Sequence, residues 1–165
     1  MFSHDIILMV GIPLSGKSTL SRQIRKDYGH VIICPDNVRL AIHGNQFIQT
    51  AEPFVWAVVE TMVRTMLLQD EKIIIDATNT HFSARSKWIR LAKEMKKSIV
   101  ACVFQTPYSE CIERNKKIKR LDQSVIDRMI NQFKPPTYDE GFDSIFNVTC
   151  RNYKFDFELV EPQEN

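Results

Sequence analysis

Short apolar runs alternate with amphipathic stretches along most of the chain. The runs that predict β-strands are 6–10, 31–34, 73–75, 99–104 and 145–150, with a further edge strand at 155–160. The stretches that predict helices are 17–27, 52–69, 83–97, 109–119 and 124–133. Continuous apolar strands separated by helices are typical of a parallel sheet covered on both faces. The pattern therefore predicts a three-layer α/β fold with a parallel sheet of four to five strands.

The second predicted helix carries apolar residues at helical spacing, which predict its core face. These residues are Phe54, Val55, Val58, Val59, Met62 and Met66. At the end of the last predicted helix, Pro135 and Pro136 are expected to stop the helical backbone.

Length and composition indicate one globular domain. The chain has 165 residues, of which 44% are hydrophobic and 25% are charged, which is ordinary for a globular protein. No apolar run reaches the roughly 18 residues of a membrane span, and the first residues do not resemble a signal peptide. The four cysteines are scattered without the spacing of a metal cluster, so we expect buried reduced thiols and a cytoplasmic protein.

The net charge of +2 conceals a local concentration of basic residues. Residues 112–134 hold seven Lys or Arg against three Asp or Glu. Such a run is usually a solvated helix face. In a protein that binds a triphosphate, the alternative is a basic lid, which we place around residues 109–134.

The segment Gly11–Ser18 has the full P-loop spacing, Gly-x-x-x-x-Gly-Lys-Ser, between a predicted strand and a predicted helix. Glycines let the backbone wrap around phosphate oxygens, and the N–H groups of the loop and helix bind the anion. Lys17 is suited to the β- and γ-phosphates and the Ser18 hydroxyl to Mg²⁺. A chance glycine turn is the alternative. The predicted phosphate-binding residues are Gly11, Pro13, Ser15, Gly16, Lys17, Ser18 and Thr19.

Polar residues follow the second and third predicted strands, at the sheet edge where ligands bind in such folds. Asp36 is suited to take a proton from an acceptor hydroxyl, and Arg39 to grip an anionic group. Alternatively, Asp36 is a helix cap and Arg39 a surface residue. Asp76 is suited to bind Mg²⁺ or to orient Ser18, and Thr78 and Asn79 to contact phosphate or sugar. The alternative for the segment 76–79 is a plain loop.

Taken in order, these motifs resemble the kinase domain of phage-type polynucleotide 5′-kinases, within the broader P-loop phosphotransferases. The matching segments are the P-loop at 11–18, Asp-x-x-Arg at 36–39, Asp-x-Thr-Asn at 76–79 followed by Arg85, Arg114-Asn115, and the stretch 136–143 with its Glu-Gly-Phe-Asp ending. The resemblance covers residues 5–150. It implies a single P-loop kinase domain that uses ATP and Mg²⁺.

The resemblance also implies roles for individual residues. Asp36 would be the general base on the 5′-hydroxyl, and Arg39 would contact the reacting phosphoryl group. Asp76 would support the P-loop and the metal, while Thr78, Asn79 and Arg85 would lie near the acceptor nucleotide. In the lid, Arg114, Lys117 and Arg120 would bind ATP. Ile118 stands where the family usually has an arginine, so Lys117, Lys119 or Arg120 would take its place.

Three functions remain open from the sequence. The first is transfer of the γ-phosphate of ATP to the 5′-OH end of DNA or RNA, without the 3′-phosphatase of longer relatives. The second is a kinase of a small molecule or modified base, such as a nucleoside, sugar, antibiotic or hydroxymethyl-pyrimidine DNA. The third is a nucleotide-binding interaction module with little turnover, against which the acidic residue near the P-loop argues.

Overall fold

The computed structural model describes residues 2–44, 47–118, 121–151 and 154–162. The strands are β1 (Ile6–Val10), β2 (Val31–Ile33), β3 (Ile73–Ile75), β4 (Ile99–Phe104), β5 (Ser144–Arg151) and β6 (Lys154–Leu159). The helices are α1 (Lys17–Tyr28), α2 (Pro35–His43), α3 (Glu52–Leu68), α4 (Phe82–Met95), α5 (Tyr108–Ile118) and α6 (Gln123–Asn131). Short 3₁₀ turns lie at Gln49–Ala51 and Tyr138–Glu140.

The six strands form one sheet in the order β2-β3-β1-β4-β5-β6. The first five strands are parallel, and β6 pairs antiparallel with β5 at one edge. The α/β fold with a parallel sheet is thus confirmed, and the edge strand predicted at 155–160 is present one residue earlier. Because the parallel strands point the same way, the segments that follow β1, β2, β3 and β4 meet at the carboxyl edge of the sheet.

Helices cover both faces of the sheet. On one face, the buried residues of α3 and α4 pack against alternate strand positions such as Ile6, Leu8 and Ile75. On the other face, Leu20 and Ile24 of α1 pack against the intervening positions. A smaller cluster joins Ile12 of the P-loop to α5 and α6. The central strands have almost no exposed surface, which explains why their sequences read as continuous apolar runs.

The predicted core face of α3 was partly wrong. Its buried residues are Val55, Val59, Val63 and Leu67, whereas Phe54 is 59% and Met62 38% exposed. The buried stripe follows an uninterrupted i, i+4 series. In the neighbouring series, Val58 and Met66 are partly buried against the core. Helix α2 was not predicted as a helix. It begins with Pro35 at its first turn, a position that proline favours.

No helix in the described part of the chain is both long enough and apolar enough to cross a membrane.

Candidate active site

The loop between β1 and α1 has the conformation of a phosphate-binding cradle. Leu14 and Gly16 have left-handed backbones, with φ of 68° and 109°, and such residues curl successive N–H groups into an anion-binding concavity. At Gly11, an added Cβ would lie 2.9 Å from the Ser15 Oγ and 3.0 Å from the Phe104 Cβ. Gly11 is therefore required by close packing, and Gly16 by its backbone angle.

Lys17 is drawn back across this loop. Its Nζ donates to the Ile12 carbonyl at 2.7 Å and to the Ser15 Oγ at 3.3 Å, and the residue is only 7% exposed. The Ser15 carbonyl in turn accepts from the Thr106 hydroxyl at 2.7 Å. Sequence reasoning missed Thr106, whose position just after β4 was the available sign of a site residue. Pro13 is half-buried in the loop, and Thr19 is exposed on the first turn of α1.

Asp76 follows β3 and is 7% exposed. Burial raises the pKa of its carboxyl group, and the nearby charge of Asp36 adds to this, while the Ser18 hydrogen bond and the Lys17 charge oppose it. These contacts bring Ser18, Lys17, Asp36 and Asp76 together at the carboxyl edge of the sheet. Hydroxyl and carboxylate oxygens are ligands that Mg²⁺ prefers, so Ser18 and Asp76 fit the predicted metal site.

Asp36 and Arg39 form one arrangement with a third residue, Glu52. The Arg39 Nη1 donates to Asp36 at 2.7 Å, and its Nε and Nη2 donate to the two Glu52 oxygens at 2.6 Å each. These bonds from Arg39 lower the pKa of Glu52, which also accepts from Trp56. The Asp36 side chain remains 54% exposed and lies in the first turn of α2 rather than at its cap, which is Cys34.

Sequence reasoning also missed Glu52. It lies at the start of α3, 13 positions beyond Arg39, and nothing in the local pattern pairs it with α2. Among the described residues, the Arg39 guanidinium uses three of its N–H groups in these bonds. Since arginine has five N–H donors, two remain for an anionic ligand.

Two residues predicted to contact the acceptor differ in their exposure to solvent. Asn79 is 3% exposed, and its Nδ2 donates to the Met9 carbonyl at 2.8 Å. Thr78 is half-buried, and its carbonyl accepts from the Gly11 N–H at 2.9 Å. These bonds tie the loop after β3 to the entry of the P-loop. Asn79 therefore fits a structural role better than the predicted substrate contact, whereas the Thr78 side chain retains some exposure.

Arg85 also departs from the prediction. It is fully buried, and its guanidinium pairs with Glu140 through two hydrogen bonds and donates to the carbonyls of Asn79 and Lys134. A side chain without exposed surface does not fit the expected contact with an acceptor nucleotide. Arg85 instead joins α4 to the loop after β3 and to the segment 134–140.

We expect Arg85→Met to lower the free energy of unfolding by about 3–5 kcal/mol, because it leaves the Glu140 carboxylate, whose side chain is only 9% exposed, without its arginine. Urea unfolding followed by circular dichroism measures this loss. The matched control is Arg64→Met, which breaks a solvent-exposed pair with Glu94 and is expected to cost less than about 1 kcal/mol. Equal losses in the two variants would contradict the structural role of Arg85.

Helices α5 and α6 lie beside the P-loop in the segment predicted as a lid. The Arg114 Nη1 donates to the Leu14 carbonyl at 2.8 Å, and its Nη2 pairs with Glu110. Lys117 and Ile118 are exposed on the last turn of α5. Lys119 and Arg120 lie outside the described residues. Arg114 thus contacts the phosphate-binding loop, while its binding of ATP and the lid function of the basic residues stay predictions.

The sequence of this chain is similar to those of known proteins. A family model described as an AAA domain matches residues 6–136. The bifunctional polynucleotide phosphatase/kinase of Schizosaccharomyces pombe is 26% identical over 163 residues, covering 94% of this chain and 36% of that protein. The L-seryl-tRNA(Sec) kinase of Methanococcus maripaludis is 23% identical, covering 97% of this chain and 66% of that protein.

Among solved structures, the Pnkp1/Rnl/Hen1 RNA repair complex contains a chain with a TM-score of 0.70 and 28% identity. The match covers 77% of this chain and 43% of that one. The chain thus spans only part of the length of each of these relatives, between 36% and 66%. The family match covers most of the chain, and the relatives confirm the resemblance to P-loop phosphotransferases and polynucleotide kinases. The chain therefore belongs to the AAA domain family, and the relatives it resembles include kinases.

Proposed function

We propose that this P-loop kinase transfers the γ-phosphate of ATP to the 5′-OH end of DNA or RNA. The observation that carries the proposal is the exposed Asp36 carboxylate, held by Arg39 at 2.7 Å on the same sheet edge as the P-loop. An acceptor hydroxyl bound there meets a base and a cation together. A bifunctional polynucleotide phosphatase/kinase at 26% identity and a chain of an RNA repair complex at 28% identity support a nucleic-acid acceptor.

In this mechanism the P-loop and Lys17 bind the phosphates of ATP, and Arg114 covers the loop from α5. Ser18 and Asp76 would hold Mg²⁺, which supplies positive charge to the β- and γ-phosphates when bound. Asp36 accepts the proton of the 5′-hydroxyl while the hydroxyl oxygen forms a bond to the γ-phosphorus. The bond between the γ-phosphorus and the oxygen that bridges it to the β-phosphate breaks, which releases ADP.

Arg39 acts beside this base. Two of its N–H groups are available for the transferring phosphoryl group or an acceptor phosphate, because Glu52 and Asp36 engage the others. A guanidinium fixed on two sides by carboxylates loses little freedom when it binds an anion, which favours tight positioning. Glu52 thereby sets the orientation of Arg39.

The test uses ATP labelled at the γ-phosphate and a panel of acceptors. The panel contains 5′-OH DNA and RNA oligonucleotides, nucleosides, gluconate, and an oligonucleotide that already carries a 5′-phosphate. We expect label on the 5′-OH oligonucleotides alone, with an acceptor KM that rises steeply with salt as counterions compete. Labelling of a nucleoside or sugar in preference to oligonucleotides would instead favour a small-molecule kinase.

The Asp76→Asn variant is expected to be more stable and less active than the wild type. Because burial raises the pKa of Asp76, the Asp76 carboxyl group binds its proton more tightly in the folded protein than in the unfolded chain. Stability is therefore lost as the pH rises through the folded pKa, and asparagine avoids that loss. We expect a higher Tm at pH 7 and no difference below about pH 4, with kcat about 10- to 100-fold lower.

Thermal unfolding at several pH values and steady-state kinetics measure the two effects of Asp76→Asn. Asp156→Asn on the exposed edge strand β6 is the control, for which neither quantity should change. A variant that is both less stable and equally active at pH 7 would contradict the proposed role of Asp76.

A further inference from the structure

An exposed aromatic ring lies next to the Asp36–Arg39 pair. Phe47 is 67% exposed, and its ring centroid is 5.8 Å from the Arg39 Cζ. This distance is within the range of a cation–π contact. Leu40 of α2 and Ile48 are exposed in the same part of the chain, at 54% and 37%. In proteins that bind single-stranded nucleic acid, aromatic rings beside positively charged groups serve as stacking surfaces for bases.

The contacts of Arg39 connect the reacting group to this ring. Asp36 lies on one side of the guanidinium at 2.7 Å, and Phe47 lies 5.8 Å from its centre. Glu52 holds the guanidinium through two further bonds of 2.6 Å, so its position relative to α2 is fixed. A nucleotide with its 5′-oxygen at Asp36 and a phosphate on Arg39 would extend its base into the region of Phe47.

We propose that Phe47 is a stacking platform for the nucleobase at the 5′-OH end of the acceptor. This inference rests on the proposed polynucleotide kinase function and adds the chemistry by which the acceptor is recognised. Stacking on an aromatic ring is tolerant of sequence, because every base has a π-face. The arrangement therefore binds any 5′-terminal nucleotide whose base is free to leave a duplex. A sugar acceptor has no such face and gains nothing from Phe47.

The test compares two acceptors, a single-stranded 5′-OH oligonucleotide and the same oligonucleotide with an abasic sugar at its 5′ end. Phe47→Ala is expected to raise the KM of the normal acceptor about 5- to 150-fold and to leave the KM of ATP unchanged. Phe47→Trp should retain the wild-type KM, whereas Phe47→Leu should not. With the abasic acceptor, the wild type and Phe47→Ala should have the same KM. Leu68→Ala, at an exposed position (76%) at the far end of α3, is the control and should behave as wild type.

The outcomes separate the two proposals. Suppose that the wild type phosphorylates the normal oligonucleotide. The stacking platform is then overturned, and the kinase function stands, if Phe47→Ala leaves the KM of that oligonucleotide unchanged. The same holds if Phe47→Ala raises the KM of the normal and abasic acceptors equally. If Phe47→Leu retains the wild-type KM, the ring makes only a general apolar contact, as a docking surface for another protein segment would, and stacking is again overturned. If the wild type labels no oligonucleotide, both proposals fail.

Discussion

Lys17→Ala is expected to lower kcat by about 100- to 1,000-fold or more while the protein stays folded. The ammonium group is directed into the P-loop, 2.7 Å from the Ile12 carbonyl, and there it would stabilise charge that develops on the transferring phosphoryl group. The loss of packing should be small, because the ammonium group forms polar hydrogen bonds with Ile12 and Ser15 of the same loop. Steady-state kinetics with the best acceptor measure kcat, and circular dichroism measures the Tm.

The matched control for Lys17 is Lys26→Ala, which removes an exposed lysine from the last turn of the same helix. It should leave both kcat and Tm unchanged. Near-normal turnover in Lys17→Ala would remove the P-loop lysine from the mechanism. Loss of folding in Lys17→Ala would show that the ammonium group supports the loop itself, and Lys17→Arg, which keeps the charge, would then test catalysis in a folded protein.

Local sequence patterns were sufficient to predict the sheet and five of the helices. The ends of these elements lie within two residues of the predicted ones, because buried parallel strands impose continuous apolar runs and the P-loop has a fixed position between strand and helix. Helix α2 was missed because only Pro35 and Val38 are buried in it, while its apolar residues Leu40 and Ile42 are exposed, so its sequence shows no apolar stripe at helical spacing. Asp76 directly follows β3 and Asp36 lies three positions after the end of β2, so the strand pattern could place both at the carboxyl edge of the sheet, and their catalytic roles stay predictions.

The sequence could not distinguish residues that face a ligand from residues that hold the site in place. Arg85 and Asn79 belong to motifs near the site, and charged or amide side chains are usually exposed. Their burial depends on partners far along the chain, such as Glu140, which is 55 positions from Arg85. Glu52 was missed for the same reason, because its contact with Arg39 forms only when α2 and α3 pack together and no local spacing encodes it. Thr106 was also missed, although its position just after β4 was an available sign.

The electrostatics of the site follow from this packing. Asp76 is buried beside Ser18 and Lys17, and burial raises its pKa, whereas Asp36 keeps an exposed side chain and an arginine partner. Two carboxyl groups at one sheet edge therefore have different surroundings, one enclosed beside the P-loop and one open to an acceptor. Such a difference suits a division of work between metal binding and proton transfer.

Asp36→Asn is expected to lower kcat by about 10²- to 10⁴-fold, the range for loss of a general base. Asparagine keeps the size of the side chain and can still accept a hydrogen bond from Arg39, but it cannot take up the proton of the acceptor hydroxyl. Affinity for ATP should be unchanged, because Asp36 is held by Arg39 on α2, on the proposed acceptor side of the site. Kinetics with saturating acceptor measure kcat, and calorimetric titration with a non-hydrolysable ATP analogue measures the affinity.

Stability separates this role from a structural one. Asp36 lies in the first turn of α2, where a negative charge interacts favourably with the helix dipole, so its loss should cost no more than about 0.3–1 kcal/mol. Asp70→Asn is the control, because it neutralises another exposed aspartate, which pairs with Lys97 at 2.6 Å. It should lose a similarly small amount of stability and retain full kcat. If Asp36→Asn loses stability but turns over at the wild-type rate per folded molecule, Asp36 only supports α2, and the general base must be sought elsewhere at the carboxyl edge of the sheet.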